Sequence, residues 1–98
     1  METYAVVWSD HPGAVETGKL ELSSESMRLV GTYEWRIPYR NIKGLYVGRD
    51  RRERLRGRPS LVLALEDGSG LRIGSVGVPG GLHELAERLS TLTRAIVV

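Results

Sequence analysis

The chain contains no cysteine and no phenylalanine, and its aromatic residues are limited to two Trp and four Tyr. Without cysteine it can form no disulfide framework and offers no thiolate as a nucleophile or metal ligand. No apolar run approaches the roughly 20 residues that a membrane-spanning helix needs. The start, Met1–Tyr4, lacks the basic segment that opens a secretory signal. These absences favour a cytoplasmic protein that is at most peripheral to a membrane.

Histidine is almost as scarce, with His11 and His83 as the two representatives. His11 lies in a predicted turn and His83 on the expected solvent face of a helix, and neither has acidic or imidazole partners at ligand spacing. No serine stands in a G-x-S-x-G elbow, and the glycines of Gly74–Gly81 are not followed by the Lys-Ser/Thr pair of a phosphate-binding loop. The sequence therefore predicts neither an enzyme nor a metal or cofactor site.

Length and composition indicate a single domain covering residues 1–98. Such a chain buries somewhat over ~60% of its unfolded surface, and a hydrophobic fraction of 41% suffices for one modest core. Short segments that alternate between apolar and polar residues run from about residue 3 to residue 76, which is typical of half-buried strands. The predicted strands are Thr3–Ser9, Glu16–Ser23, Ser26–Val30, Tyr33–Tyr39, Ile42–Gly48, Ser60–Glu66 and Leu71–Val76.

Turn residues separate these segments. Asp10–Gly13 and Asp67–Gly70 combine Asp, Gly and other turn formers in the manner of tight turns. Pro38 cannot donate a ladder hydrogen bond, so its strand is expected to lie at a sheet edge or to end there. Ser60–Glu66 is apolar on both faces and is expected to be the most buried strand.

The hydrophobic period changes near residue 79. Apolar residues recur at spacings of three and four over Leu82–Leu92, which predicts one amphipathic helix over about residues 79–93. Its apolar stripe needs a partner, and the open mouth of a curved sheet is the natural one. The apolar tail, residues 95–98, could pack on the domain, add a strand or contact another chain, so Ile96, Val97 and Val98 are candidate assembly residues. The expected core comprises Val6, Leu20, Leu22, Leu29, Ile37, Leu63, Leu65, Ile73, Leu85, Leu89 and Leu92.

Seven strands followed by one helix resemble the pleckstrin-homology-like (PH-like) fold, and most closely its small prokaryotic members. The passage Arg36–Leu45 is similar to the I-P-Y-x-x-I phrase that leads into the fifth strand of those domains. Pro59–Asp67 and Gly70–Ser75 resemble their sixth and seventh strands, and Gly80–Leu92 resembles their capping helix. The resemblance covers nearly the whole chain. It implies a mainly β, PH-like barrel of about seven antiparallel strands capped by one C-terminal α-helix.

Two departures from that family bear on function. Phosphoinositide-binding PH domains generally place basic residues around the loop joining their first two strands, whereas Asp10–Thr17 contains no Lys or Arg. The capping helix of many eukaryotic members carries a tryptophan, but here Trp8 and Trp35 lie on predicted strands. The resemblance therefore does not extend to headgroup binding at the usual place. Prokaryotic members are often of unknown role, and some assemble through their sheets or helix ends, which implies a binding module.

Basic charge is concentrated in one segment. Arg49–Arg58, with the sequence RDRRERLRGR, holds six Arg against Asp50 and Glu53, a local charge of +4. The remaining eight basic and ten acidic residues carry −2, so one loop makes an otherwise mildly acidic protein basic. The candidate anion- or partner-binding residues are Arg49, Arg51, Arg52, Arg54, Arg56 and Arg58.

Several interpretations of this loop stay open. Guanidinium groups match phosphate geometry. An anionic membrane attracts basic residues at about 1 kcal/mol each, or roughly 4 kcal/mol here, which alone gives only about millimolar affinity. The loop could instead contact a protein or nucleic acid, or be a solvated, mobile hairpin loop. Single-stranded nucleic acid would also require an aromatic platform. Tyr33, Trp35 and Tyr39 share one face of a predicted strand, but core packing explains them better, so nucleic acid is not favoured.

The missing catalytic residues and the uncovered apolar tail together predict a non-enzymatic binding or assembly module. Its expected partner is a protein or a second copy of the chain, which would give a homo-oligomer. The alternative is peripheral binding to anionic lipid or phosphate through the loop Arg49–Arg58.

Overall fold

The computed structural model describes residues 2–10, 14–77 and 80–94. Its elements follow one another as seven strands and one helix, with a short 3₁₀ helix on either side of the fifth strand. They are β1 Glu2–Ser9, β2 Glu16–Leu22, β3 Ser26–Val30, β4 Glu34–Pro38, β5 Ile42–Gly48, β6 Ser60–Leu65, β7 Gly70–Ser75 and α1 Gly81–Arg94, with the 3₁₀ helices at Tyr39–Asn41 and Arg51–Glu53. The alternating segments of the sequence thus form the expected strands, with ends shifted by a residue or two.

All seven strands belong to one antiparallel sheet with the order β4-β3-β2-β1-β7-β6-β5. The central strand β1 pairs with β2 from Glu2↔Leu22 to Trp8↔Glu16, and its second half also pairs with β7. The sheet curls into a half-barrel whose edge strands are β4 and β5. This mainly β architecture with one C-terminal helix confirms the predicted fold class and is consistent with a PH-like barrel. Pro38 is the last residue of the edge strand β4, as expected.

The core lies on the inner side of the curled sheet, because successive side chains of a strand point to opposite faces. The helix α1 packs on β5, β6 and β7 and contributes Leu85 and Leu89 to this core. His83 is exposed on α1, as expected. The expected core residues that are buried in one cluster are Val6, Leu20, Leu22, Leu29, Ile37, Leu63, Leu65, Ile73, Leu85 and Leu89. Leu92 packs against that cluster but is only partly buried.

An ion pair joins the start of β1 to α1. Arg88 Nε donates to the two carboxylate oxygens of Glu2 at 2.8 and 3.0 Å, and Arg88 Nη2 also bonds to Glu2. The hydrogen bond from Arg88 holds the pKa of Glu2 below its ordinary value. The pair therefore links the helix to the first strand at the protein surface.

The three aromatic residues expected on one strand face occupy different environments. Tyr33 lies in the turn before β4, with 79% of its surface exposed. Tyr39 lies in the 3₁₀ helix after β4, is fully buried, and donates its hydroxyl to the Ser23 carbonyl at 2.7 Å. Trp35 stays on the strand, half-buried against the core. Core packing is therefore confirmed for Tyr39 and in part for Trp35, and it is wrong for Tyr33. Tyr33 and Tyr39 both lie outside the strand, because β4 covers only Glu34–Pro38.

The strand β6 lies between β5 and β7, and four of its six residues are buried, a larger share than in any other strand. Leu61, Leu63 and Leu65 point into the core, whereas Ala64 is exposed and Val62 is half-buried. The expectation that this is the most buried strand is therefore confirmed. Its outer face is apolar in sequence but remains accessible in part.

Some predictions fall on residues outside the described ranges. These residues are His11, Pro79 and the tail that carries Ile96, Val97 and Val98. Their roles in a turn, a helix start and assembly therefore stay predictions. Within the described ranges, no helix is both long and apolar enough to cross a membrane.

Candidate functional site

The segment between β5 and β6, residues 49–59, holds all six candidate arginines, and we call it the arginine loop. Its first half is the 3₁₀ turn Arg51–Glu53, which Asp50 precedes in a capping box. The Glu53 amide donates to the Asp50 carbonyl at 2.9 Å, and the Asp50 amide donates to Glu53 Oε1 at 3.4 Å. Tyr46 of β5 donates its hydroxyl to Glu53 Oε2 at 2.6 Å, which raises the pKa of Tyr46. The Glu53 carboxylate and the Asp50 backbone thus help to hold this turn.

The second half of the arginine loop is a tight reverse turn. Leu55 and Arg58 exchange backbone hydrogen bonds of 2.9 and 3.0 Å around Arg56 and Gly57. These two central residues have φ angles of 51° and 76°, the pattern of a type I′ turn. Gly57 adopts this left-handed conformation without steric cost, whereas for Arg56 it costs roughly 1–2 kcal/mol. The turn thus keeps an arginine where asparagine or glycine would be favoured.

Leu55 fixes the arginine loop to the outer face of the sheet. Its side chain is only 4% exposed, although it does not belong to the main core. Below it lies Gly74 of β7, where an added Cβ would be 3.8 Å from the Leu55 Cβ and 3.0 Å from a Val7 methyl group. Leu55 and Val7 therefore both border Gly74 on the side of the sheet opposite the core.

Hydrogen bonds extend this attachment across neighbouring strands. Arg56 Nη2 donates to Thr17 Oγ1 of β2 at 3.3 Å. From β7, Arg72 Nη1 donates to the carbonyls of Arg52 and Arg54 at 3.0 and 3.4 Å. The arginine loop is therefore folded back over the outer face, and it does not extend freely into solvent as a mobile hairpin would.

The arginine loop presents its charge to solvent. All six of its arginines are exposed, and among the described residues none of their guanidinium groups forms an ion pair. Arg54 Nε uses one donor on the Arg49 carbonyl at 2.9 Å, and Arg56 uses one on Thr17. Because a guanidinium carries five N–H donors, most donors of the loop remain available to a ligand. The structure thus brings all six predicted residues together on one anchored, positive surface.

A second surface lies on the inner face of the sheet, and we call it the aromatic pocket. It is a cavity of about 430 Å³ lined by Trp8, Asp10, Glu16, Tyr33 and Trp35. Trp8 and Glu16 are directly opposed in the β1–β2 register, so their side chains lie on the same face. Trp8 belongs to the core cluster and Trp35 packs against it, which places the aromatic pocket on the opposite face from the arginine loop.

The aromatic pocket combines a fixed wall with an exposed rim. An added Cβ on Gly31 would lie 2.7 Å from Trp8 Cη2, so the glycine permits the close approach that holds this ring. Tyr33, by contrast, presents most of its ring to solvent. Glu16 forms no ion pair with any residue in the described ranges. Aromatic faces beside a carboxylate attract cations.

The aromatic pocket was not expected from the sequence. Trp8 and Trp35 were expected on separate strands, and Tyr33 was expected in the core. The available signal was that Trp8 and Glu16 flank one predicted turn and therefore meet across a hairpin. Trp35 and Tyr33 line the aromatic pocket only because of the order of the strands in the sheet, and local sequence patterns do not predict that order.

The remaining polar groups offer little catalytic chemistry. In the described part of the chain, no group of three or more His, Asp or Glu side chains could hold a metal ion. Burial raises the pKa of Tyr39 to about 12, so its hydroxyl stays protonated as a donor to the backbone. A cleft of about 330 Å³ beside β4 is bordered by Asn41, Glu66 and Asp67, among others. These groups can hydrogen-bond a ligand, but they do not make a nucleophile with an adjacent base.

Comparison with known proteins supports the fold. No protein-family model and no curated protein matches the chain. The structure is similar to the crystal structure of the C-terminal domain of an unknown protein from Leishmania infantum, with a TM-score of 0.77 at 10% sequence identity. The match covers 95% of this chain and 82% of that chain. At this identity the similarity concerns the fold alone.

Proposed function

We propose that the chain is a non-enzymatic assembly module of the PH-like family that binds protein, and above all copies of itself, through the arginine loop. The observation that carries this proposal is the anchored loop with six exposed arginines, whose guanidinium groups form no ion pair with any described residue. The curled seven-stranded sheet with one terminal helix supports the family placement.

Charge distribution favours a second copy as the partner. The segment Arg49–Arg58 carries +4 and the remainder of the chain carries −2, so the loop of one copy can face the acidic remainder of another. Arginine is enriched in protein interfaces, where its planar fork hydrogen-bonds carboxylates and stacks on aromatic rings. Because Leu55 and the reverse turn already order the loop, binding loses little further conformational entropy.

A protein surface fits the arginine loop better than a bilayer does. Leu55 is the one large aliphatic residue of the loop, and its side chain is buried against the sheet. The loop therefore offers no aliphatic side chain to insert among lipid chains. Electrostatic attraction alone, roughly 4 kcal/mol for the net charge, corresponds to about millimolar affinity.

Sedimentation velocity over a wide range of protein concentration tests the proposal. A loop variant, Arg51→Ser with Arg52→Ser and Arg58→Ser, removes three charges whose side chains make no described hydrogen bond. A control variant, Arg40→Ser with Lys43→Ser and Arg94→Ser, removes the same charge from exposed positions elsewhere. We expect the wild type and the control to associate, and the loop variant to stay monomeric. A wild type that is monomeric throughout would refute the proposal, as would equal association of both variants.

Anionic lipid is the second candidate, favoured by the same six exposed guanidinium groups. Its test is co-sedimentation with anionic and with neutral vesicles, at low salt and at an ionic strength of about 0.15 M, where charges are screened beyond about 8 Å. Capture by anionic vesicles alone, decreasing with salt and lost in the loop variant, would establish a membrane role. Equal behaviour of both vesicle types would exclude it.

A further inference from the structure

We propose that the aromatic pocket receives an arginine side chain from the arginine loop of a second copy. This inference rests on the proposed self-association and adds the receiving site. It concerns Trp8, Glu16, Tyr33 and Trp35 on one copy and the exposed guanidinium groups on the other.

The lining of the aromatic pocket suits a guanidinium group in particular. Tryptophan is the aromatic residue that attracts cations best, and the planar guanidinium stacks on such rings. The Glu16 carboxylate can accept two parallel N–H bonds from the same group, which an ammonium cannot supply. The cavity of about 430 Å³ is in the size range of sites that enclose small ligands.

Two groups of the aromatic pocket have no evident role in the fold. The Tyr33 ring is 79% exposed, and its hydroxyl donates to no described residue. Glu16 is likewise without a described ion pair, although it lies beside the aromatic rings. An exposed tyrosine next to an uncompensated carboxylate is typical of a contact surface, where aromatic residues are enriched.

We expect the arginine to come from another copy, because the arginine loop is anchored on the opposite face of the sheet. The arginine loop is anchored on the outer face, where Arg56 reaches Thr17 of β2. Glu16 is the residue next to Thr17, and successive side chains of a strand point to opposite faces. The Arg56–Thr17 contact is therefore made on the outer face, away from the aromatic pocket.

The arginines best able to enter the pocket are those without an internal hydrogen bond from their side chains. Arg54 and Arg56 donate to Arg49 O and Thr17 Oγ1, whereas no described hydrogen bond involves the side chains of Arg49, Arg51, Arg52 and Arg58. The loop variant defined above removes three of these four side chains and leaves the anchoring contacts in place.

A pocket variant, Glu16→Gln with Tyr33→Ser, tests the receiving site by sedimentation velocity. Its matched control is Glu87→Gln with Val76→Ser, which removes one carboxylate and one exposed apolar group elsewhere on the surface. Loss of a charged contact and a ring face should weaken association about tenfold or more. We expect the control to behave as the wild type.

Mixing the two variants gives the sharpest readout. The loop variant keeps an intact pocket and the pocket variant keeps an intact loop, so an equimolar mixture should form a 1:1 complex and nothing larger. Association that persists in the pocket variant but is lost in the loop variant would overturn this inference and leave the proposed function standing. Association that is absent in the wild type would overturn both. Full association after changing Arg51, Arg52 and Arg58 to Lys would overturn the inference that a guanidinium group stacks in the aromatic pocket, because a positive charge alone would then suffice.

Discussion

Truncating Leu55 to alanine tests whether the arginine loop is an anchored part of the fold. If the loop were a mobile, solvated hairpin, its one large aliphatic side chain would contribute little to the free energy of unfolding. In the structure that side chain is 4% exposed and packs over β7 from the outside. We therefore expect Leu55→Ala to destabilise the whole domain.

The size of the effect follows from the burial. Full burial of a leucine side chain stabilises a protein by about 1.5–3 kcal/mol, and Leu→Ala changes in cores cost about 2–5 kcal/mol. The contact of Leu55 lies at the surface of the sheet, so the loop can settle into part of the space left behind. We expect a loss near the lower end of this range, about 2 kcal/mol. For a domain of this length, that corresponds to a fall in melting temperature of roughly 8–16 °C.

Denaturant unfolding followed by tryptophan fluorescence and circular dichroism measures this loss. The matched control is Val76→Ala, since Val76 is 45% exposed and its truncation should change the free energy by less than about 0.5 kcal/mol. Amide hydrogen exchange adds local resolution, because the Leu55 and Arg58 amides donate to each other's carbonyls. Both amides should be protected in the wild type and lose protection in Leu55→Ala.

A change in unfolding free energy no larger than that of Val76→Ala would refute the anchored loop. Rapid exchange of the Leu55 and Arg58 amides in the wild type would refute it independently. Either result would also weaken the proposed function, because a disordered loop would lose conformational entropy on binding.

Two further predictions concern the core and the aromatic pocket. Burial raises the pKa of Tyr39 from 10.0 to about 12, so the Tyr39 hydroxyl loses its proton at lower pH in the unfolded chain than in the folded protein. The free energy of unfolding should therefore fall as the pH rises from 10 to 12, by at most roughly 2–3 kcal/mol. Tyr39→Phe should remove this part of the pH dependence, and an unchanged slope would contradict the raised pKa of Tyr39. Gly31→Ala should displace the Trp8 ring, because the added Cβ would lie 2.7 Å from it. The free energy of unfolding should fall by about 1–3 kcal/mol. An unchanged free energy of unfolding, together with an unshifted Trp8 indole N–H resonance, would contradict the close packing of Gly31 and Trp8.

The strands and the helix could be predicted because each depends on a pattern within one segment. The alternation of apolar and polar residues in β2 and the spacing of the leucines in α1 directly indicate which face of each element is buried. Pro38 likewise marked a strand end by its missing N–H group. The predicted strand was one residue too long at Tyr39, because the alternation was continued past the residue that ends the strand.

The geometry of the candidate surfaces could not be predicted in the same way. The charge of the sequence identifies the arginines of the loop. Their position on the sheet, however, depends on the packing of Leu55 beside Gly74, which lies in another hairpin. No period or turn signal marks a leucine that packs on the outer face of a sheet. The aromatic pocket is formed by three parts of the chain, β1–β2, β4 and the turn before β4, and needs the order of the strands. Contacts of this kind, between segments that are distant in the chain, could not be predicted from the sequence alone.

The placement of the two surfaces determines what kind of assembly they can form. A contact between the loop of one copy and the pocket of another joins two different surfaces, so it is heterologous. In a pair joined by one such contact, one copy then keeps an unused pocket and the other keeps an unused loop. Association should therefore not stop at a dimer, and it should end in a ring only if the rotation between neighbours closes. The mass distribution of the wild type should broaden with concentration, whereas the mixture of loop and pocket variants should stop at two chains, because one contact uses the last intact loop and the last intact pocket.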